Sequence, residues 1–225
     1  MEKLIVISDN PRIIPDNPGY PSFWNGCLQY KFNDDSVVTQ CTDSHRNFLK
    51  KYIENIKEGI IVEIGLLGGA SALHLYDTCK ENNNKFYGID PFEKINIYNG
   101  VESLHVSEQL KNDVKKFFYA NKTTLNNIIK KYNLNDVITI MDNESWLSSD
   151  KFNDNSINLI HVDGDHSMEG VYKDLKMFWP KIAKNGVIVG DDYTWISVQN
   201  GLNKFCEEYG IKYSVFEEKF IIVKN

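Results

Sequence analysis

The sequence contains no long hydrophobic run, since its apolar stretches extend over only a few residues each. A helix that crosses a bilayer needs roughly 20 apolar residues in succession, so no transmembrane segment is predicted. The stretch that reaches Asp9 is too short and too soon acidic for a signal peptide. We therefore expect a cytoplasmic protein with no membrane partner.

Cysteine is scarce, with four residues in a chain of 225, and no two of them form a CxxC pair. Their wide separation argues against a zinc site and provides no disulfide framework. Such a cysteine content favours a reducing, cytoplasmic setting.

Acidic residues outnumber basic ones, since the sequence has 31 aspartates and glutamates but 25 lysines and arginines, and the net charge is -6. Binding to a nucleic-acid duplex depends on basic surface that neutralises phosphates. We therefore expect no nucleic-acid partner. A homo-oligomer is compatible with the sequence.

Strand and helix patterns alternate from residue 44 to the end of the sequence, which predicts a doubly wound parallel α/β sheet. Two short strands near the end read as an antiparallel hairpin. The predicted strands cover residues 60–65, 85–90, 137–141, 157–163, 187–190, 213–216 and 220–223. The predicted helices cover residues 44–55, 71–80, 107–120, 123–132, 169–179 and 197–209.

Two regions stand outside this alternation. Residues 1–43 form an irregular arm rich in proline and aromatic residues, and residues 91–136 are long for one crossover connection. Both are predicted to cover a substrate next to the α/β domain of residues 44–225. Phe23, Trp24 and Tyr98 are candidates to stack on a sugar or planar molecule, although packing is the ordinary role of any single aromatic residue.

The strongest functional signal is an apolar strand that ends abruptly in Asp163, Asp165 and His166. A parallel strand buried on both faces is apolar along its length, and titratable groups contribute nothing to its packing. In open α/β sheets, ligands bind at the carboxyl ends of the strands. The position therefore predicts a site. His161, inside the strand, is expected to be a core side chain with a hydrogen-bond partner, whereas His45 is expected on the surface or satisfied.

A second short buried strand ends in Asp191 and Asp192. Neighbouring strand tips lie about 5 Å apart, so Asp163 should meet this pair. Three carboxylates repel strongly unless a cation lies between them, and their oxygens suit Mg²⁺, Mn²⁺ or Ca²⁺. The alternative is a set of loop acids paired with lysines.

The first strand of the domain runs into a glycine-bearing turn and then a helix that starts near Ser71. Glycines permit a tight turn and close approach of a ligand, and the helix N-terminus offers free N–H groups. The spacing matches neither GxGxxG nor a P-loop. Glu63 is an acid inside this buried strand, and it is either a paired core or edge acid or a receiver of an ammonium group.

Acidic or polar residues also follow the second and third strands. Asp90, some 20 residues beyond the glycine turn, is placed to bind two ribose hydroxyls, although acids often cap strand ends. Asp142 and Ser145 could meet an adenine edge, and an ordinary loop is the alternative.

Three blocks, residues 62–71, 88–91 and 160–193, resemble class I S-adenosylmethionine-dependent methyltransferases. The sequence is similar to the small-molecule O-methyltransferase group that includes metal-dependent macrolide-sugar and catechol-type enzymes. The resemblance implies a Rossmann-like seven-stranded sheet of order 3-2-1-4-5-7-6 with a C-terminal antiparallel hairpin. It implies transfer of a methyl group from S-adenosyl-L-methionine to a small hydroxylated acceptor such as a sugar, with a divalent metal, Mg²⁺.

The resemblance also assigns roles to residues. His166 lies where catechol-type relatives have a catalytic lysine, so it is the first choice for the base, and Asp165 is the second. Asp163, Asp191 and Asp192 would be metal ligands. The residues expected around the cofactor are Glu63, Gly65, Gly69, Ser71, Asp90, Asp142, Ser145 and Asp163.

Other functions compete with this one. A metal-independent enzyme could methylate oxygen or nitrogen and use the acids only to position its substrate. A non-catalytic module could retain the fold, although such a module has no use for repulsive buried charge. A nicotinamide-dependent oxidoreductase is the least favoured, because the glycine spacing is wrong.

Overall fold

The computed structural model describes residues 5–6, 27–94 and 108–225. Its strands are β1 (Ile5–Val6), β2 (Leu28–Phe32), β3 (Asp35–Thr39), β4 (Ile60–Ile64), β5 (Lys85–Asp90), β6 (Ile138–Asp142), β7 (Ile157–Val162), β8 (Ile182–Gly190), β9 (Ser214–Phe216) and β10 (Lys219–Val223). Its α-helices are α1 (Asp43–Ile53), α2 (Ala70–Glu81), α3 (Glu108–Lys131), α4 (Ser145–Ser148), α5 (Met168–Phe178) and α6 (Ile196–Tyr209).

Seven strands form the central sheet, in the order β6-β5-β4-β7-β8-β10-β9. The five strands from β6 to β8 are parallel, and the β9–β10 hairpin adds the antiparallel edge. Numbered within the sheet, this is the predicted order 3-2-1-4-5-7-6, so the predicted fold class is confirmed.

Both faces of the sheet are covered, because successive strand residues alternate between two apolar cores. Ile61 and Leu159 pack in one core with α1, α2 and α3. Val62 and Ile160 pack in the other with α5 and α6. Strands buried on both faces must be apolar along their length, which explains why an acid or histidine inside them is conspicuous.

Three local predictions were wrong: those for the helices of residues 107–132, for the start of β8 and for the N-terminal arm. The two helices predicted over residues 107–132 are one helix, α3, and the polar pair at its middle stays helical because Asn121 is buried and Lys122 pairs with Glu93 and Asp142. Strand β8 begins five residues earlier than predicted.

The arm predicted to be irregular contains a hairpin in which β2 pairs with β3, and β1 adds a third strand. The turn of this hairpin uses Asn33 in a left-handed conformation, with φ of 53°. The predicted stacking residues Phe23, Trp24 and Tyr98 lie outside the described residues. Among the described residues, none of the helices is both long and apolar enough to cross a bilayer.

The turn after β4 depends on Gly65. Its φ is +88°, and a Cβ atom there would lie 1.8 Å from the carbonyl oxygen of Asp163. The backbones of β4 and β7 therefore approach each other more closely at this point than any other residue type permits.

We expect Gly65→Ala to lower the free energy of unfolding by at least about 3 kcal/mol, because left-handed strain and a backbone clash add together. Gly210→Ala is the matched control. Gly210 also has a left-handed φ, +64°, but nothing lies within 4 Å of its added Cβ, so the expected loss is about 1–2 kcal/mol. Urea denaturation of both variants measures the difference, and equal losses would contradict the role of the close approach.

Candidate functional site

The predicted acids meet at the carboxyl edge of the sheet. The N–H of Asp163 donates to the carbonyl of Ile64 at 2.9 Å, and the N–H of Asp191 donates to the carbonyl of Val162 at 3.1 Å. These bonds continue the parallel ladders by one residue, so Gly65, Asp163 and Asp191 stand side by side at the ends of β4, β7 and β8. Asp163 shares one group of possible ligand atoms with Asp191 and another with Asp192, but among the described residues no such group contains all three acids.

His166 lies between two of these acids. Its Nε2 is 3.3 Å from Oδ1 of Asp163 and 2.8 Å from Oδ2 of Asp192. Burial lowers the pKa of His166, but the hydrogen bonds and charges of the two carboxylates outweigh it and raise the pKa to about 10. One ligand atom from each of the three residues lies within 4.8 Å of the others. This outer cluster of Asp163, His166 and Asp192 could hold a cation once the imidazole has lost its proton.

An inner chain of hydrogen bonds runs beneath the outer cluster. Oε1 of Glu63 is 3.0 Å from Nδ1 of His161, whose Nε2 is 3.2 Å from Nε2 of His45. Nδ1 of His45 is 3.0 Å from Oδ2 of Asp191, and Nζ of Lys219 is 3.3 Å from the other oxygen of that carboxylate. The chain connects the strand before the glycine turn with the acid pair after β8.

His45 was missed by sequence reasoning. It lies in the first turn of α1, where its N–H donates to the Thr42 hydroxyl at 3.4 Å, and it is only 7% exposed. The available signal was its position four residues before Leu49 on the buried face of the helix. The prediction of a hydrogen-bonded core role for His161 is confirmed by its contacts with Glu63 and His45.

The inner chain of hydrogen bonds and the charges around it shift the pKa values of several side chains. Burial raises the pKa of Asp191, but the hydrogen bond from His45 and the positive charges around it hold that pKa well below its usual range. Burial lowers the pKa of His161, and the hydrogen bond and charge of Glu63 outweigh this and raise it. Burial, followed by the nearby carboxylates, raises the pKa of Cys41 well above its usual value.

The charge of Arg46 acts against these carboxylates on Cys41, because it lowers the pKa of that thiol. Its guanidinium is 1% exposed, donates to the carbonyl oxygen of Cys41 at 2.7 Å and pairs with Asp43. It also lies 4.6 Å from the ring centroid of Tyr30 in β2. Arg46 therefore ties the N-terminal hairpin to α1 and to the edge of the site.

The glycine turn leaves one acidic atom free. Among the described residues, Oε2 of Glu63 is buried and has no hydrogen-bond partner. It lies two residues before Gly65, and α2 follows with Gly69 at its N-cap and Ser71 in its buried first turn. A buried carboxylate oxygen without a partner is costly, so this atom is available to accept from a donor at the turn, as Oδ1 of Asp142 is at the end of β6.

Asp90 holds the same turn. One of its oxygens accepts from the N–H groups of Leu66 and Leu67, at 2.9 and 2.8 Å, and the other accepts from the N–H of Phe92 at 2.6 Å. Burial raises the pKa of Asp90 to about 6, although these three hydrogen bonds lower it. Asp90 thus shapes the turn, with acceptor capacity remaining for a further donor.

The remaining predicted residues lie farther out. Asp142 pairs with Lys94 and Lys122, each at 3.1 Å. Ser145 donates its hydroxyl proton to the carboxyl group of Asp174 in α5. Asp165 is exposed and accepts from the N–H of Ser167 at 2.9 Å, outside the outer cluster.

Asp174→Asn should change how stability depends on pH. Burial raises the pKa of Asp174 from 3.8 to about 7, so this carboxyl is neutral in the folded protein at pH values where the unfolded chain ionises it. The wild type therefore loses stability as pH rises from about 4 to 7, and the asparagine variant does not. We expect the variant to gain about 1–4 kcal/mol relative to the wild type between pH 4.5 and 8, by urea denaturation. A difference that stays constant over this range would contradict the raised pKa.

Comparison with known proteins agrees with this geometry. The family model described as "Methyltransferase domain" matches residues 62–193, which include the glycine turn and all the acids of the sheet edge. No curated protein matches the sequence. Solved structures resemble the fold at low identity.

The O-methyltransferase NovP aligns with a TM-score of 0.65 at 13% identity, over 83% of this chain and 82% of its own. The calicheamicin methyltransferase CalS11 aligns with a TM-score of 0.53 at 12% identity, over 82% and 79%. A SAM-dependent O-methyltransferase from Thermotoga maritima aligns with a TM-score of 0.55 at 13% identity, over 83% and 67%. The family model covers more than half of the chain, and the chain therefore belongs to the methyltransferase domain family.

Proposed function

We propose that the protein is an S-adenosyl-L-methionine-dependent O-methyltransferase that acts on a small hydroxylated acceptor such as a sugar or glycoconjugate, assisted by a divalent metal, Mg²⁺. The observation that carries this proposal is the buried, unpartnered Oε2 of Glu63 beside the glycine turn. This oxygen lacks a hydrogen-bond donor, and the ammonium group of the cofactor would supply one that carries positive charge.

The residues of the turn fit the cofactor. Gly65 keeps the strand edge free of a side chain, and the first turn of α2 offers the N–H groups near Gly69 and Ser71. Asp90 would accept from one ribose hydroxyl with the acceptor site that its three backbone hydrogen bonds leave. Asp142, Ser145 and Asp163 would complete the cofactor pocket along the tips of β6 and β7. The bound cofactor would supply the methyl group on a sulfonium.

The acids at the ends of β7 and β8 would hold a divalent cation around Asp163, which lies in one group of possible ligands with Asp191 and in another with Asp192. Asp163, Asp191 and Asp192 provide carboxylate oxygens, which are the ligands that Mg²⁺ prefers. Their side chains are 14–32% exposed, so an acceptor can reach them. A cation held there would lower the pKa of an acceptor hydroxyl.

A side chain of the protein would accept the proton of the acceptor hydroxyl. As a base, it would take that proton, so that the hydroxyl oxygen could accept the methyl group that the bound cofactor would supply. His166 is the first choice for that base, and it can accept a proton only when its imidazole is neutral. Asp163 and Asp192 oppose that state through their charges. Asp165 is the second choice, although it lies outside the outer cluster and accepts from the N–H of Ser167.

Exposed apolar side chains beside His166 support a small acceptor with an apolar or flat face. The indole of Trp195 is 47% exposed, and its centroid lies 5.2 Å from that of the His166 ring. Met168 and Ile196, each the first residue of its helix, are also exposed. We further propose that residues 1–43 and 91–136 cover the acceptor.

Two alternatives remain distinct from this function. A metal-independent O- or N-methyltransferase would use the acids only for positioning, and a non-catalytic module would retain only the fold. The free atom of Glu63 and the outer cluster around His166 favour an enzyme, because an unused site gains nothing from buried repulsive charge.

Glu63→Gln should weaken the binding of S-adenosylhomocysteine by about 10- to 100-fold, because a charge-assisted hydrogen bond to the ammonium group is lost. The glutamine oxygen can still accept from His161, so the fold should persist. Glu169→Gln, at an exposed surface pair with Lys204, is the control and should bind normally. Calorimetry measures both affinities, and an unchanged affinity in Glu63→Gln would contradict the proposed cofactor contact.

Removal of the metal should abolish turnover. We expect EDTA to stop transfer of radiolabelled methyl groups to a panel of phenols and sugars, and added Mg²⁺ to restore it. Asp192→Asn should lower the rate at least about tenfold, whereas Asp150→Asn, at an exposed position, should leave it unchanged. Turnover that survives both EDTA and Asp191→Ala would refute the metal role and favour the metal-independent enzyme.

A further inference from the structure

We propose that His45 is a positioning residue that aligns the two halves of the site. One of its ring nitrogens binds Asp191, after β8, and the other binds His161, which orients Glu63. The inference rests on the proposed function, since it assigns these halves to the metal and to the cofactor. It concerns a residue of α1, a helix outside the sheet and outside the matched family region of residues 62–193.

One half of the argument is the contact with Asp191. Nδ1 of His45 lies 3.0 Å from Oδ2, and Lys219 lies 3.3 Å from Oδ1. A carboxylate held by a donor on each oxygen cannot rotate, so its remaining lone pairs point in fixed directions. Groups that orient a metal ligand in this way tune its affinity for the metal.

The other half is the contact with His161. The two Nε2 atoms face each other at 3.2 Å, and Nδ1 of His161 lies 3.0 Å from Oε1 of Glu63. The His161 ring is held at both ends, and it fixes the carboxyl plane of Glu63. The second oxygen of that carboxyl is the buried atom that lacks a partner among the described residues.

The geometry of this hydrogen-bonded chain is constrained, because three of its four members are buried and all four come from different elements. His45, Glu63 and His161 are 7%, 4% and 1% exposed. They are contributed by α1, β4 and β7, and Asp191 follows β8. A displacement of α1 would therefore disturb Glu63 and Asp191 together, although neither belongs to that helix.

Two substitutions separate the functions of the two nitrogens. The side-chain amide of His45→Asn reaches the position of Nδ1 and keeps the bond to Asp191, but loses His161. The longer amide of His45→Gln reaches the position of Nε2 and keeps the bond to His161, but loses Asp191. His74→Asn and His74→Gln are matched controls, because His74 is a half-buried histidine of α2 that contacts Tyr30 and Asn47.

Affinities are measured by calorimetry with S-adenosylhomocysteine and by electron paramagnetic resonance of free Mn²⁺. We expect His45→Asn to weaken S-adenosylhomocysteine binding about three- to tenfold and to change the Mn²⁺ affinity less than about twofold. We expect His45→Gln to show the opposite, with the Mn²⁺ affinity about tenfold weaker. Both His74 variants should match the wild type.

The crossed pattern supports the inference, since a general loss of packing would weaken both ligands in both variants. Equal losses, no losses or the reversed pattern would overturn it. Failure of the proposed function is a separate result, seen when the wild type itself does not bind S-adenosylhomocysteine. A wild type that binds this ligand but not Mn²⁺ would overturn the metal half alone.

A measurement on the wild type keeps the inference testable if either variant fails to fold. In protein labelled with ¹⁵N-histidine, saturation with S-adenosylhomocysteine should shift the imidazole signals of His161 and also of His45. Mg²⁺ alone should shift the signals of His45. Signals of His45 that respond to neither ligand would overturn the inference.

Discussion

The site depends on compensation of carboxylates that the parallel sheet forces together. Strand register places Asp163 and Asp191 side by side at the carboxyl edge, and Glu63 one step inside it, opposite His161. His45, His161 and Lys219 supply donors and positive charge to Glu63 and Asp191. Without these partners, buried acids would destabilise the very strands that carry them.

This compensation divides the site into two parts with different properties. Glu63, His161 and His45 of the inner chain are buried and hydrogen-bonded to one another, which suits groups that must hold a geometry. The outer cluster of Asp163, His166 and Asp192 is partly exposed, which suits groups that must exchange ligands and protons. Asp192 itself adopts a left-handed backbone, with φ of 53°, and such strain persists where surrounding contacts enforce it.

Much of the fold and part of the candidate site could be predicted from the sequence. Apolar runs predict buried parallel strands, and in this sequence acidic residues mark the ends of several of them. Asp163, Asp191 and Asp192 were found in this way. His45 was not, because a histidine on an amphipathic helix has no marker for its tertiary partner. The helix break expected near Lys122 was wrong for a similar reason, since Glu93 and Asp142 stabilise that turn from distant sequence positions.

The C-terminal hairpin carries a consequence for strand pairing. Phe220 stands opposite Gly190, and a Cβ on that glycine would lie 1.9 Å from the phenylalanine ring. The preceding residue, Lys219, points the other way and reaches Asp191. A slip of β10 by one residue would exchange their faces, leaving an aromatic ring at the carboxylate and an ammonium group in the core. The contact between Lys219 and Asp191 therefore favours the native register of β10 against β8.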